Sequence, residues 1–405
     1  MTHVLMYVNG PVFPVQMGSQ RVINEIARYV HGLQDVHLTL AVQANPDPKM
    51  RTCYAAITHD IVWIPPFSRW SFWSLVNKIV CRLGIDCWIG WGCAHELRRS
   101  LVPLAEKADV VLLNYACWSA ALPRRILRDR TLVITHDLMF YRRASFGGTD
   151  SRFKRGLVAL NRTCELSLLK RFWRVGVFAE YEEDLLQKYG LSAERIVRLG
   201  MPISVPDGIC TYEDSPECEH QYDFVMVGGN SYQNEEGVRV FFERVVPVLG
   251  ARNISLAVVG GVARAGVWDC LQIPVNVSVS RLGYVPDLAE VFRKSLIGLG
   301  TVPYGSGVKV KVVETMMSGL PMVVTNSGEE GIPVLKEACI NIDKLSEEDI
   351  RSRVLAWLDN PDTARTHGRL GAEHLKAQFA PDVALRALSK TISTHADKED
   401  DSCVS

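Results

Sequence analysis

Short apolar runs, several closed by glycine and most followed by a helical pattern, recur along the 405-residue chain. HVLMYV (3–8), VVLLN (110–114) and TLVIT (131–135) stand in the first half. DFVMVGG (223–229), LAVVGG (256–261), LIGLG (296–300) and PMVVT (321–325) stand in the second. Runs of this length lack the alternation of a half-solvated strand, so they read as strands covered on both faces. Strands separated by helices imply a parallel sheet, because a parallel partner is reached only through a crossover. Between the first run and the second, RVINEIARYV places Val22, Ile23, Ile26, Ala27 and Val30 on one helical face, with Ser19 as the expected N-cap. In VPDLAEVF, Asp287 and Glu290 are spaced as a capping box for a helix ending near residue 294.

The pattern breaks at 199–223, LGMPISVPDGICTYEDSPECEHQYD, where Pro, Asp and Glu rise and periodicity vanishes. The length also exceeds what one core usually supports. The expectation is therefore two doubly wound Rossmann-like α/β domains. The first covers 1–200, a linker 201–222, the second 223–380, a C-terminal helix 381–395 and a disordered tail 396–405.

The formal net charge is zero but unevenly placed. Residues 1–174 hold 23 Lys and Arg against 12 Asp and Glu, an excess of +11, and the remainder carries −11. A basic half suggests an anionic partner. Trp70, Trp73, Trp88 and Trp91, interleaved with Lys78 and Arg82, could form an interfacial surface for an anionic membrane. No nucleic-acid-binding motif accompanies the charge, so nucleic acid is not expected. The start, MTHVLMYVNG, has no basic segment leading a long apolar run, and no stretch reaches spanning length. A cytoplasmic protein, at most peripheral at the membrane's inner face, is expected, with its 11 cysteines reduced.

In open α/β sheets ligands bind beyond the carboxyl ends of the strands. That rule selects Gly18, His136 with Asp137, Gly228 with Gly229, and GSGVKVKVVE (305–314). In the last stretch Gly305 and Gly307 permit a tight turn. A helix starting near Val308 would aim free N–H groups and a positive dipole end outward, where phosphate binds. Lys309 and Lys311 lie at that same positive end, which disfavours cations unless an anion is bound. Glu314 follows Lys311 by three residues and shares its helix surface.

GSGVKVKVVETMMSGLPMVVTNSGEEGI (305–332) resembles the donor-binding segment of GT-B glycosyltransferases of the family 4 type. GPVFPVQMGSQRV, ITHDLMFYRRASF, DFVMVGGNSYQNEEGV and LGYVPDLAEVFRKS resemble further segments of that family in the same order. The resemblance implies two domains facing across a cleft and transfer of a sugar from a nucleotide-diphosphate donor to a glycan or lipid-linked acceptor. The transfer would retain configuration, need no metal or other cofactor, and serve cell-surface polysaccharide or glycoconjugate synthesis. Glu314 would hydrogen-bond the donor ribose, and Lys309 or Lys311 would neutralise the diphosphate. Glu330 and Gly331 would contact donor sugar or phosphate. Gly228 and Gly229 would admit the diphosphate to the backbone, as Gly18 would from the other domain, and His136 would face the donor sugar.

The chain departs from that family in places. Ser306, followed by Gly307, stands where many members have the first Glu of an E-x7-E pair. GGNSYQNEEG lacks the Arg and Lys common after the second domain's first strand, and Thr315 replaces a usual Ala. A nucleotide-sugar 2-epimerase and a non-catalytic nucleotide- or partner-binding protein are the alternatives on the same fold.

Overall fold

The computed structural model describes residues 1–15, 17–67, 72–83, 91–145, 152–204 and 220–402. They group into two compact units, residues 1–202 together with the segment from Pro381 onward, and residues 203–380.

The first unit is built on seven parallel strands. These are β1 (Thr2–Val8), β2 (Val36–Gln43), β3 (Asp60–Ile64), β4 (Val110–Asn114), β5 (Thr131–Ile134), β6 (Arg174–Val177) and β7 (Ile196–Arg198). Their order is β3-β2-β1-β4-β5-β6-β7, so the winding direction reverses between β1 and β4. Val4 to Val8 of β1 and all of β4 and β5 are buried, as continuous apolar runs require when helices cover both sheet faces. Helix Gly18–His31 buries Val22, Ile23, Ile26, Ala27 and Val30, the face its spacing predicts. Its cap differs from the expectation. Met17 holds the N-cap position, and Gln20 supplies the stabilising bond by accepting the Met17 N–H at 3.0 Å. Ser19 instead lies inside the helix.

The second unit has six parallel strands. They are β8 (Tyr222–Val227), β9 (Ile254–Val259), β10 (Val277–Gly283), β11 (Ser295–Gly300), β12 (Met322–Val324) and β13 (Cys339–Asn341). Their order, β10-β9-β8-β11-β12-β13, reverses between β8 and β11. Helix Tyr232–Val240 runs on as a wider turn over Phe241–Val245, where Val246 N–H reaches back to Phe241 O at 3.0 Å. Phe241, Phe242 and Val245 enter the core there. Asp287 caps helix Leu288–Arg293 by accepting from Ala289 N–H at 2.9 Å. Glu290 does not complete a capping box, because its carboxylate pairs with Lys294 one turn on, at 2.7 Å.

Most of the expected linker lies outside the described residues. The chain after Pro381 returns to the first unit: Gly200 N–H donates to Ala384 O at 2.8 Å, and Tyr29 OH bonds Ser389 Oγ at 3.2 Å. The terminal helix spans Arg386–Ser402 and thus continues into the segment expected to be disordered. No glycine or proline follows Pro381 to interrupt it. Among the described residues no helix is long and apolar enough to cross a membrane.

Candidate functional site

The strongest candidate lies at the carboxyl ends of β8 and β11, on either side of the strand-order reversal of the second unit. Gly305 and Gly307 have φ of +135° and +75°, a left-handed region that L side chains enter only with strain, so the turn needs glycine at both. The helix behind it is Val310–Met317 with Lys309 as N-cap, two residues later than the glycines alone suggest. Lys309 therefore caps the helix and Lys311 lies in its first turn. Lys309 Nζ donates to Gly307 O at 2.7 Å and stands 3.7 Å from Glu330. Lys311 Nζ donates to the Asn234 side-chain carbonyl. Burial, and then the neighbouring Lys309 charge, push the Lys311 ammonium down to about 8.

Asn234 ties the two glycine segments together, since its amide nitrogen also donates to Gly229 O at 2.8 Å. Gly228 and Gly229 end β8 differently. A Cβ on Gly228 would lie 2.9 Å from the Asn234 side chain, whereas one on Gly229 would meet nothing within 4 Å. Gly229 is thus the position open to an approaching group. Thr315 packs without disturbance, its hydroxyl donating to Lys311 O at 2.7 Å and its methyl lying against Gly298. Ser306 lies in the turn, Glu314 in the second turn of the helix, and Gly331, φ +72°, follows Glu330.

The reversal between β1 and β4 in the first unit has another character. A cavity of about 310 Å³ opens there, lined among others by Gly10, Met17, Tyr115, Trp118 and Met139. His136 follows β5 with φ +57°. The residues flanking it, Thr135 and Asp137, line the cavity; His136 is not among the lining residues. Its ring stacks on Tyr115 at a centroid distance of 4.6 Å, and Nε2 lies 2.7 Å from Asn114 Oδ1. Burial lowers its pKa to about 3, so the imidazole is neutral near pH 7. Asp137 pairs with Arg142 at 3.6 Å. Glu165 is buried for a structural reason, its two oxygens accepting the N–H groups of Met139 and Phe140 at the start of helix Met139–Ser145. Gly18 is exposed at the start of its helix.

The structure thus brings Gly228, Gly229, Lys309, Lys311 and Glu330 into one constellation and keeps Ser306, Gly307, Glu314 and Gly331 on the same loops and helix. Asn234 and Asn114 were not singled out from the sequence. Asn234 falls in GGNSYQNEEG, where only the missing Arg and Lys drew notice, and Asn114 reads as the polar end of a strand. Trp70 and Trp88, and the side chains of Trp73, Arg82 and Trp91, lie outside the described residues. Among the described residues no group of three or more His, Cys, Asp or Glu is placed to hold a metal ion.

Residues 221–360, most of the second unit, match the family described as glycosyl transferases group 1. No curated protein sequence matches. Solved structures similar to the whole chain include sucrose-phosphate synthase from Thermosynechococcus elongatus, at TM-score 0.64 and 14% identity, covering 98% of this chain and 100% of that one. HepE from Anabaena with UDP and glucose gives TM-score 0.64 and 13% identity, covering 97% and 100%. A mutant of S. aureus TarM with Fondaparinux, alpha-GlcNAc-glycerol and UDP gives 0.66 and 9%, also covering 97% and 100%. At these identities the likeness is one of fold, while the family match rests on the second unit's own sequence. Residues 221–360 thus resemble the glycosyl transferases group 1 family, and the chain has the fold of the GT-B glycosyltransferases.

Proposed function

We propose that the β8–β11 reversal binds the diphosphate and ribose of a nucleotide-sugar donor, and that the protein transfers the sugar to a hydroxyl of a glycan or lipid-linked acceptor. One observation carries this reading. Two lysines are set at the positive end of one helix, and one of them is buried beside the other's charge. Lys309 has Glu330 at 3.7 Å, so the charge disfavoured here is that of Lys311, and a bound anion would relieve it. Fixed cations and a helix N-terminus aimed at a departing diphosphate stabilise the charge that builds as the glycosidic bond breaks. Lys309 and Lys311 are the residues proposed to do this without a metal. Glu314 is proposed to bind the ribose hydroxyls. Ser306, Gly307, Glu330 and Gly331 would line the donor.

The transfer is proposed to retain configuration, with the acceptor hydroxyl losing its proton to the departing phosphate, in synthesis of a cell-surface polysaccharide or glycoconjugate. The solved HepE and TarM structures hold UDP, which favours a uridine donor. The test is thermal stabilisation by UDP, GDP, ADP and TDP, with Glu314→Gln alongside. A binding nucleotide at a hundred times its dissociation constant adds about 2.7 kcal/mol. Stabilisation by one nucleotide, lost in Glu314→Gln, supports the site; no stabilisation by any of them refutes it.

Peripheral contact with an anionic membrane is the proposed route to a lipid-linked acceptor. Helix Phe72–Leu83 leaves Phe72, Leu75 and Ile79 exposed at helical spacing beside exposed Lys78, and exposed Phe153 lies between Arg152 and Lys154. Apolar side chains with adjacent cations suit an anionic bilayer surface. Co-sedimentation with phosphatidylserine vesicles at low salt, weakened in Phe72→Ser/Leu75→Ser, is expected; equal recovery with neutral vesicles would refute the electrostatic part.

A further inference from the structure

Every residue lining the cavity at the first reversal belongs to the first unit, so its chemistry can be read within one compact body. Its volume of about 310 Å³ compares with about 150 Å³ for an apolar cavity that takes one benzene ring, which leaves room for two fused rings. Val8, Pro11, Met17, Ile23, Ala116 and Met139 supply apolar wall, and the two flexible thioethers can adapt to an aromatic guest. Polar side chains around them are engaged within the protein. Thr135 Oγ1 donates to Gly176 O at 3.1 Å, and Gln20 bonds Pro11 O and the Met17 N–H, each at 3.0 Å. Glu165 accepts two N–H groups, and Asp137 pairs with Arg142. Burial pushes the Cys117 thiol up to about 12 and raises the Tyr115 phenol, so both are neutral near pH 7.

Trp118 differs from these. It is only 7% exposed, and its Nε1–H has no acceptor among the described residues. The indole is held in place by Phe67, stacked at a centroid distance of 5.8 Å, and by Tyr7, edge-on at 5.8 Å. An indole N–H only donates, and burying one unpaired is costly. The backbone of the same wall is distorted. Tyr115 has φ +69° and ψ 129°, which an L residue adopts only with strain.

We propose that this cavity is a binding site for an uncharged two-ring aromatic molecule, whose oxygen acceptor takes the Trp118 Nε1–H. The Tyr115 and Trp118 rings offer such a guest aromatic contact. An anionic guest would bring its charge beside Asp137 and Glu165, and both carboxylates already have partners, so a cation gains little. The site lies within the first unit and does not depend on the donor-site reading above.

Coumarin is the probe: two fused rings, no charge, and a carbonyl that only accepts. In full-length protein labelled with 15N-tryptophan, Trp118→Phe identifies the signal, and coumarin should move the Trp118 indole N–H. Equilibrium dialysis should give a Kd of about 1 mM or tighter, with coumarin-3-carboxylate about tenfold weaker or worse. Trp118→Phe should weaken coumarin about two- to tenfold, the worth of one hydrogen bond. Ala116→Leu fills the space from its wall. It should abolish coumarin binding with the melting point level or raised, and it tests the site even if Trp118→Phe does not fold. No coumarin binding up to about 5 mM overturns the proposal, as does binding that survives Ala116→Leu. An unmoved Trp118 signal, or equal affinity in Trp118→Phe, overturns the hydrogen bond, and equal binding of coumarin-3-carboxylate overturns the exclusion of anions.

Discussion

Each sheet reverses its strand order once, after β1 in the first unit and after β8 in the second, and the residues collected at the two reversals differ in kind. The second reversal gathers glycines, two lysines and a helix N-terminus. The first gathers aromatic and apolar side chains around a cavity, with a neutral histidine beside it. Formal charge predicts the opposite, because the basic excess lies in residues 1–174 and the acidic excess in the rest. Much of that basic excess is solvated: Arg98, Arg99, Arg124, Arg125 and Arg128 are all exposed. The two cations proposed to meet the donor, Lys309 and Lys311, are instead largely enclosed. The sum over a half reports its surface; burial at a strand end reports its site.

The largest expected effect tests whether the cationic reversal is where transition-state charge is stabilised. Lys311→Ala should lower kcat by about 10²-fold or more and abolish stabilisation by nucleotide. The melting point of the unliganded protein should stay level or rise, because a cation enclosed beside Lys309 is removed. A variant with wild-type turnover would break the contrast between the reversals.

Gly228 and Gly229 sharpen it. Gly229→Ala meets no neighbour, so stability should change by no more than about 0.5 kcal/mol. Nucleotide affinity should fall about tenfold, since a methyl group would stand where the diphosphate approaches the backbone. Gly228→Ala presses on Asn234 and should cost about 1–3 kcal/mol of stability. Calorimetric titration with melting curves separates the two.

The pH dependence follows from the same lysine. Its pKa in the free protein is lowered to about 8, and the protonated form is the one that binds an anion. Nucleotide affinity should be level below pH 8 and weaken above it, by up to tenfold per unit, with proton uptake on binding. Titration in buffers of different ionisation heat measures that uptake, and none at pH 8.5 would remove Lys311 from the diphosphate.

The smallest effect lies at the opposite edge of the first sheet. His59 Nδ1 accepts from Leu38 N–H and lies against His31 Nδ1, each at 3.1 Å, with His37 stacked on its ring. Burial, then the His31 and His37 charges, lower its pKa, against the opposing pull of Asp60. For a base lowered on folding, the stabilisation is complete above the unfolded value of about 6.5 and is lost as pH falls through the folded one. The melting point should drop modestly between pH 7 and 5, and less in His59→Asn.

The strands were legible in the sequence because a strand covered on both faces is apolar throughout, and β4, Val110–Asn114, coincides with VVLLN residue for residue. The apolar face of helix Gly18–His31 was legible because its period is set by helix geometry. The turn at Gly305 and Gly307 was legible because left-handed backbone selects glycine. Caps were less so. Ser19 and Glu290 had suitable chemistry, but the helix starts one residue before Ser19, and Glu290 pairs with Lys294 instead. The sequence by itself determined two parallel α/β units, the glycine turn and the lysines that follow it, since all of these depend on local periodicity and backbone sterics. The tertiary structure alone decided that Asn234, bonded to Gly229, meets Lys311 77 residues further on, and that Asn114 meets His136 across 22 residues. A hydrogen bond depends on distance and direction in space, and the sheet topology that supplies both leaves no spacing in the sequence to reveal it.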